Sequence, residues 1–476
     1  MQDCRRQLSS IWSIALITIT APFIIWLLSL LEPTVDDWSY LTNPWNGRFL
    51  SQNILPIENH WRPFDAIIGY ILSRHVSWFP TLNHLLVFAS HFANTILLFR
   101  FLKKLGYHFL AVNLSTFFFY LSPAMLGTVL GIDSMNQSFS HFLGLLGCYY
   151  YFFGKNQYKE WIWIGCVILA VCAKENGIVW GIIPPILAFG FGRSNRKHTI
   201  KNITIGFILF ILYFIARYIL SVEFINTETS AYFDYSLFQK IKHIAIFIGM
   251  TWLPVDYVSI VYPPSRNWWL ILITVFLSVP YLYILFIRKR HFLTRKEALY
   301  LVLCMMIAIS PHLATIVTAM HPYASLGLAT MLMAFIINQL KKTKFLIFAY
   351  ILFMSAAIIT DYHHWIKSYE SGMTGKRMAV EAINKTGHPV DCVYIIHVHH
   401  NEPKYSSFCV IPYDAFGWGR AALHETEYQY PKNIGEITID ENRKPEIPKI
   451  TKNAFRKGYQ SVWLIEKDNI EVINHP

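Results

Sequence analysis

Eleven long runs of apolar residues dominate the sequence, and most of them approach the roughly 20 residues that a membrane-crossing helix needs. They lie near residues 9–31, 84–102, 107–124, 136–153, 160–173, 177–191, 202–220, 268–288, 297–316, 325–340 and 345–361. Only 15% of the residues are charged, against about 25% in soluble domains. The aromatic content of 16% excludes a disordered chain. The sequence therefore predicts an α-helical polytopic membrane protein with about eleven transmembrane helices.

The net charge of +12 follows from the predicted topology. With a cytoplasmic N-terminus, the loops on the inner side contain 19 basic and three acidic residues, as the excess of Lys and Arg in cytoplasmic loops requires. A nucleic-acid partner is not needed to explain the charge, and we expect none. The first run is too long for a removed signal peptide. Eleven spans place the C-terminus outside, and we expect a bacterial cytoplasmic membrane.

The chain is predicted to form two domains: a transmembrane domain over residues 1–361, with a first outer loop at about 32–83, and an extracytoplasmic α+β domain over residues 362–476. Within the loop, Trp61–Phe79 is amphipathic and could lie at the membrane surface. The apolar stretch Leu237–Leu253 is flanked by outer segments, which favours a re-entrant or surface helix. It could instead be a true span, which would invert everything after it.

The C-terminal domain contains short runs that are typical of strands. These runs are Cys392–His399, Ser407–Ile411, Glu436–Ile439 and Ser461–Ile465. If the first two form a hairpin, Cys392 and Cys409 face each other and could form a disulfide. They could equally be two small buried residues.

An acidic pair, Asp36-Asp37, follows the first run. Adjacent carboxylates at a membrane surface repel each other and lose solvation, which favours a shared proton and hence a general base. The pair could also be an exposed acidic loop, because loop charges are mostly solvated.

Other polar residues are predicted on the same side of the membrane as the pair. They are His60, Arg62, His84, Asp133, Lys174, Glu175 and Arg217. Singly, each has a structural explanation as an interfacial anchor, a helix contact, a turn or a snorkelling side chain. Together, acids and cations at one interface suit a lipid phosphate leaving group and a base for an incoming hydroxyl.

Two further polar residues on the second run, His91 and Asn94, lie deeper than His84. Polar groups inside a span are costly unless they have a partner. We expect His91 and Asn94 to bond neighbouring helices, whereas His84, near the outer end, could reach a site.

These motifs resemble those of GT-C fold glycosyltransferases that use polyprenyl-phosphate-linked sugars. The order is similar to that of protein O-mannosyltransferases, especially the transmembrane and tetratricopeptide-repeat subgroup, and the resemblance covers roughly residues 10–335. The matching elements are Asp36-Asp37, His60-Trp61-Arg62-Pro63, His84 with His91, Ala173-Lys174-Glu175-Asn176-Gly177, and Tyr213 with Arg217. The chain departs from the family at Met320-His321-Pro322-Tyr323, where Glu-Arg is common, and it has no tetratricopeptide period.

The resemblance implies an inverting membrane glycosyltransferase that takes a sugar from a polyprenyl phosphate in the outer leaflet. Asp36 would deprotonate or orient an acceptor hydroxyl, and Asp37 would position the acceptor or a metal. Arg62, Lys174 and Arg217 would neutralise the departing phosphate, with His60, His84, Asp133 and Glu175 in support. The acceptor would be a protein or a glycan of the cell envelope. A divalent metal is used by some relatives and not by others.

Two other functions remain open at this point. A flippase or transporter of lipid-linked saccharides would place ionisable groups in the middle of the membrane and often contains inverted repeats. A membrane scaffold that presents the outer domain would not need Asp36-Asp37, Arg62 and Lys174 around one cavity. One outward cavity lined by these residues would favour the enzyme, and a two-sided pathway would favour transport.

Overall fold

The fold was analysed in a computed structural model of the chain. It describes residues 12–34, 37–38, 62–64, 67, 81–132, 134–155, 157–219, 236–255, 267–287, 294–313, 317–318, 320–340, 344–400, 416–417, 419–427, 430–467 and 469–475.

The described residues form fifteen α-helices. They are α1 Trp12–Ser29, α2 Thr81–Lys104, α3 Phe109–Tyr120, α4 Leu126–Val129, α5 Met135–Phe153, α6 Lys159–Ala173, α7 Ile183–Gly190, α8 Arg196–Ile219, α9 Leu237–Trp252, α10 Trp268–Leu282, α11 Lys296–Ile309, α12 Tyr323–Asn338, α13 Lys344–Thr386, α14 Arg420–Glu425 and α15 Ile447–Arg456. Each of the eleven apolar runs overlaps one of these helices.

Within the described residues, five helical segments are long and apolar enough to cross a bilayer by length and composition. They are Trp12–Ser29, His84–Lys104, Arg196–Ile219, Trp268–Phe286 and Lys344–Thr386. A sixth is added if α3 and the bent continuation Pro123–Val129, which turn by 44° relative to each other, form one span. The fold is thus that of a helical membrane protein, and the full number of eleven spans stays a prediction.

Several helices break where they approach one end of the bundle. The helix α3 is followed by a 3₁₀ turn at Pro123–Met125, α6 by a 3₁₀ turn at Glu175–Gly181, and α11 by a 3₁₀ turn at Ser310–His312. The turn after α6 is packed inside the protein, because a side chain on Gly177 would lie 2.5 Å from the Ala170 backbone. These breaks bring polar loop residues below the surface of the bundle.

The stretch Leu237–Leu253 forms the helix α9, as expected. Its buried face includes Phe247 and Met250, which pack with Ile309 and Val317. This packing does not distinguish a re-entrant helix, a surface helix and a membrane span, so all three remain predictions for α9. The amphipathic segment Trp61–Phe79 lies outside the described residues except for 62–64 and 67.

The C-terminal domain contains a four-stranded sheet with the strand order β2-β1-β3-β4. The strands are β1 Cys392–His399, β2 Asn433–Asp440, β3 Ser461–Glu466 and β4 Asn469–Asn474. The first three strands are parallel, and β4 is antiparallel to β3. Alternate residues of β1 point to opposite faces: Val393 and Ile395 pack with the end of α13, and Ile396 and Val398 pack towards α15.

The sheet corrects one sequence-based expectation. Both edges of β1 are occupied, by β2 on one side and by β3 on the other. The hairpin between Cys392–His399 and Ser407–Ile411 is therefore wrong, because it would need one of these edges. Residues 401–415, with Cys409, lie outside the described residues.

A single helix joins the two halves of the chain. The 43-residue helix α13 begins in the apolar bundle and ends at Thr386, beneath the sheet. Residue 362, the predicted start of the C-terminal domain, lies inside this helix. The two domains are therefore connected by continuous helix and not by a linker.

The two ends of the helix bundle differ in their polar residues. One end, which we call the polar end, carries Asp37, Asn136, Lys174, Arg217 and His312. The opposite end, which we call the basic end, carries Lys104, Glu160, Arg193, Lys201 and Lys296. The segregation agrees with the sequence-based assignment of basic loops to one side.

Candidate functional site

The carboxylate of Asp37 is buried at the polar end, with 3% of the residue exposed. Its Oδ1 accepts a hydrogen bond from the backbone N–H of Ile132 at 2.6 Å, and its Oδ2 accepts one from the backbone N–H of Thr34 at 3.2 Å. Hydrogen bonds to an ionised acceptor are stronger than neutral ones. Asp37 therefore fastens the loop that follows α1 onto the loop between α4 and α5. Asp36 lies outside the described residues.

Lys174 is buried at the start of the 3₁₀ turn after α6, with 8% of the residue exposed. Its Nζ donates a hydrogen bond to Asn136 Oδ1 at 3.0 Å and contacts Met320 Sδ at 3.3 Å. Ser134 Oγ lies 3.9 Å from the same sulfur. Lys174 is thus linked through Met320 and Ser134 to the loop that binds Asp37.

Arg62 and Glu175 form an ion pair between the first outer loop and the turn after α6. Arg62 Nε donates to Glu175 Oε2 at 2.8 Å, and about a fifth of each side chain is exposed. A turn was the structural alternative for the neighbours Lys174 and Glu175. The two side chains reach different parts of the protein, and each connects the turn after α6 to a separate segment.

Arg217 was expected either to snorkel to the headgroups or to bind phosphate. It is 8% exposed, and its Nη1 donates to the Tyr213 hydroxyl at 3.2 Å. Its guanidinium carbon lies 5.7 Å from the centre of the Tyr213 ring. Tyr213 also lies within electrostatic range of Arg62 and Glu175. The burial of Arg217 argues against snorkelling, and its contact with Tyr213 places it in the same region as the Arg62–Glu175 pair.

Two histidines that sequence reasoning missed complete this end of the bundle. Asn176 Nδ2 donates to Gln137 Oε1 and lies 3.0 Å from His312 Nε2, so this histidine nitrogen is an acceptor. The ring of His321 stacks on His312 with 4.0 Å between centres. His321 Nδ1 in turn accepts from the Thr318 backbone at 3.1 Å. An acceptor nitrogen requires a neutral His312 ring.

The missed residues share one property that a sequence can reveal. Asn136 and Gln137 begin a predicted span, and His312 lies near the end of another. Polar residues within apolar runs are expensive and are therefore candidates for functional contacts. Met320 and His321 occupy the element that departs from the resembled family, and the structure places both at the polar end.

An apolar groove begins beside the cations. It runs between α6 and α8, has a volume of about 230 Å³, and has Pro63 and Tyr213 among its lining residues. Ile168 and Leu212, which also line it, are about half exposed. The groove therefore opens onto the apolar outer surface of the bundle and comes close to the Arg62–Glu175 pair through the neighbouring Pro63.

The second helix carries two buried histidines, His84 and His91. His91 Nδ1 lies 2.9 Å from the Tyr323 hydroxyl and its Nε2 lies 3.2 Å from the Tyr120 carbonyl oxygen. Asn94 donates to the Ser138 carbonyl oxygen and to Tyr323. The prediction that His91 and Asn94 bond neighbouring helices is confirmed. His84 is buried, with 1% exposed. His60 and Asp133 lie outside the described residues.

A metal was left open by the sequence. Among the residues that the structure describes, no group of three or more His, Cys, Asp or Glu side chains is arranged to hold a metal ion. We derive no step through a metal.

Comparison of the chain with protein-family models and with curated protein sequences finds no match. The geometry of the polar end and the resemblance of its motifs therefore remain the guides to the function of the chain.

Proposed function

We propose that the chain is an inverting GT-C type membrane glycosyltransferase that takes its sugar from a polyprenyl-phosphate donor. The observation that carries the proposal is the proximity of the three cations to the apolar groove. A polyprenyl-phosphate sugar has a charged phosphate joined to a long apolar chain. Lys174, Arg62 and Arg217 suit the phosphate, and the groove between α6 and α8 suits the first part of the chain.

In the proposed reaction, an acceptor hydroxyl oxygen attacks the anomeric carbon of the sugar. Asp36 takes the hydroxyl proton while the bond between the anomeric carbon and the phosphate oxygen breaks. The polyprenyl phosphate leaves with the bonding electron pair, and the cations stabilise its added charge. Preorganised cations in a partly dry site are effective, because no solvent has to reorient during the reaction.

We assign different roles to Asp37 and its neighbour. Each oxygen of Asp37 accepts a backbone hydrogen bond, which supports a role in holding the loop in place. We assign proton transfer to Asp36. The two carboxylates would thus divide the work between positioning and chemistry.

We further propose that the polar end and the C-terminal domain face the extracytoplasmic side of a bacterial cytoplasmic membrane, where a protein or a glycan would be the acceptor. The proposal rests on the basic loops and on the ion pair between Lys376 of α13 and Glu32, which lies five residues before Asp37. It places the donor phosphate in the outer leaflet.

A lipid-linked saccharide transporter is the second candidate. It is favoured by a buried layer of polar side chains below the polar end, formed by His91, Asn94, His141 and Tyr323. However, this layer is packed with aromatic rings: His91 stacks on Phe119 at 5.2 Å between centres. A packed layer suits a fixed structural network better than a route for a saccharide.

A turnover assay in detergent separates the two candidates, because transport needs two compartments and transfer does not. Purified protein would receive undecaprenyl phosphates carrying a hexose or a pentose, together with Ser/Thr peptides, lipid A or cell-wall glycan fragments. Release of undecaprenyl phosphate and gain of sugar mass on an acceptor are the expected results.

The Asp36→Asn variant keeps the size of the side chain and removes the base. We expect transfer to fall by about 100-fold or more, in line with general-base contributions, while the unfolding temperature stays unchanged. Wild-type transfer by Asp36→Asn would refute the assigned base. If the wild-type protein moved these lipids across a vesicle membrane and formed no glycosylated acceptor, the transporter would be favoured.

A further inference from the structure

Asp37 and Trp38 are consecutive residues that are buried in different domains. The Asp37 carboxylate is bound by the Ile132 backbone in the helix bundle. Trp38 is 2% exposed and belongs to the hydrophobic core of the C-terminal domain. The chain therefore passes from the proposed active site into the sheet domain within one residue.

The surroundings of Trp38 are specific to its indole ring. The ring lies against His424, with 5.3 Å between ring centres and a tilt of 58°. Gly417 lies on another side, where an added Cβ would come within 2.3 Å of Trp38 Cδ1. Gly417 also has a φ of +59°, in the region that favours glycine. Phe416 and Trp463 belong to the same core.

The chain before Trp38 is held by α13, the helix that ends beneath the sheet domain. The Trp365 indole donates to the Leu27 carbonyl oxygen at 2.9 Å. Lys376 Nζ donates to Glu32 Oε1 at 2.8 Å. Trp365 and Lys376 lie on α13, so this helix fixes the chain from the end of α1 almost to the acidic pair.

We propose that Trp38 is a positioning residue that makes the C-terminal domain part of the active site. Its burial in the sheet domain, together with the hydrogen bonds of Asp37 in the bundle, holds the backbone at Asp37–Trp38 from both sides. The inference rests on the proposed function, because it assigns a purpose to the burial of Trp38, which lies two residues after the proposed base Asp36 in the sequence. It predicts that the sheet domain is required for the rate of transfer and not for binding of the donor.

The first experiment separates the rate of the reaction from donor binding. Trp38→Ala should lower kcat by about 30-fold or more while the donor KM changes by less than threefold. Misplacing reacting groups by about 1 Å can cost 100-fold in rate. Trp38→Phe should recover most of the loss, because an aromatic ring still fills the site beside His424.

Trp463 provides a matched control. It is 1% exposed in the same core, and its indole donates to Thr386 Oγ1 at 3.1 Å. It lies on β3, however, and not in the loop. Trp463→Phe should lower the unfolding temperature at least as much as Trp38→Phe, with kcat within threefold of wild type below that temperature. Gly417→Ala should reproduce the kcat loss, because its Cβ displaces the Trp38 ring.

A second readout does not depend on activity. Thr34 is buried, so a cysteine introduced there should react slowly with a water-soluble maleimide in otherwise wild-type protein. Adding Trp38→Ala should raise the labelling rate about tenfold, measured on the peptide by mass spectrometry, whereas Trp463→Phe should not.

The two readouts distinguish failure of this inference from failure of the proposed function. Faster labelling in protein without any transferase activity would support the positioning role and reject the enzyme assignment. Unchanged labelling in Trp38→Ala, or a kcat within threefold of wild type in folded protein, would overturn the inference. If Trp38→Ala does not fold, Trp38→Phe and Gly417→Ala decide the question by the same criteria.

Discussion

The two ends of the helix bundle use cations in opposite ways. At the basic end, the Lys201 side chain is 63% exposed and lies 3.6 Å from Glu160, and Lys296 lies over the Phe189 ring at 3.9 Å. At the polar end, Lys174 and Arg217 are each 8% exposed and are held inside the protein. The cations at the polar end are therefore buried more deeply than Lys201 at the basic end.

The comparison separates two roles of cations that a sequence alone does not distinguish, namely orienting the chain in the membrane and binding or stabilising a ligand. Exposed loop cations orient a chain in the membrane, and their individual positions matter little. A buried cation loses its hydration, which is costly unless the protein or a ligand compensates for it. The depth of burial is therefore a better guide to chemistry than the count of charges, and three experiments can test this distinction.

The largest effect is expected from a pair of matched lysine variants, Lys174→Gln and Lys201→Gln. Lys174→Gln keeps a hydrogen-bonding group towards Asn136 and removes the charge that would stabilise the leaving phosphate. Loss of one preorganised group at a developing charge costs roughly 100- to 1,000-fold in kcat. Lys201→Gln should stay within twofold of wild type. If the two variants slowed the release of polyprenyl phosphate equally, the proposed difference between buried and exposed cations would be contradicted.

A smaller effect is expected from the Arg62–Glu175 pair. Arg62→Ala should raise the donor KM about tenfold, which corresponds to about 1.4 kcal/mol. Arg62→Lys should restore this only partly, since an ammonium cannot reproduce the planar fork of the guanidinium.

The exposed pair Arg443–Glu446 in the C-terminal domain supplies the control for Arg62. Its two contacts measure 3.1 and 2.9 Å, and nearly half of each side chain is exposed. Exposed pairs contribute little, so Arg443→Ala should leave the KM unchanged. A normal KM in Arg62→Ala would return Arg62 to the role of an interfacial anchor.

The smallest effect concerns pH and the C-terminal domain. Burial lowers the pKa of His424 below its ordinary value of 6.5, with Glu32 opposing and Lys376 assisting. Burial also lowers the pKa of His397, which Glu436 opposes. The unfolded state therefore binds protons more readily, and stability is full above pH 6.5 and falls as the pH drops towards the folded-state pKa values.

We expect the unfolding temperature of the protein to fall by roughly 2–4 °C between pH 7.5 and 5.5. His424→Phe should reduce this dependence while keeping a ring beside Trp38. His388→Phe, at an exposed position, should leave it unchanged. A stability that rises on acidification would show that these rings are not buried as described.

The sequence predicted the local elements better than their assembly. The apolar run 84–102 is the centre of α2, and the run Cys392–His399 is β1 with the same bounds, because hydrophobic patterns act over a few residues. The strand β4, Asn469–Asn474, was missed. It is short, and only two residues separate it from β3.

Contacts between distant segments could not be predicted in the same way. Lys174 and Arg217 were selected for their side of the membrane, and the structure places both at the polar end. His312 and Met320 were overlooked, because their roles arise from helices that break and meet far apart in the chain. The burial of Trp38 beneath the sheet depends on contacts with residues almost 400 positions away, which no local pattern contains.

The length of α13 has a mechanical consequence. A helix of 43 residues is about 65 Å long, about twice the thickness of the hydrocarbon core, which is about 30 Å. It therefore acts as a lever between the bilayer and the sheet domain. A tilt of about 5° at the bilayer moves the far end by about 3 Å over the remaining length, and Trp38 lies close to that end. We therefore expect the position of the loop that carries the acidic pair to depend on the tilt of α13.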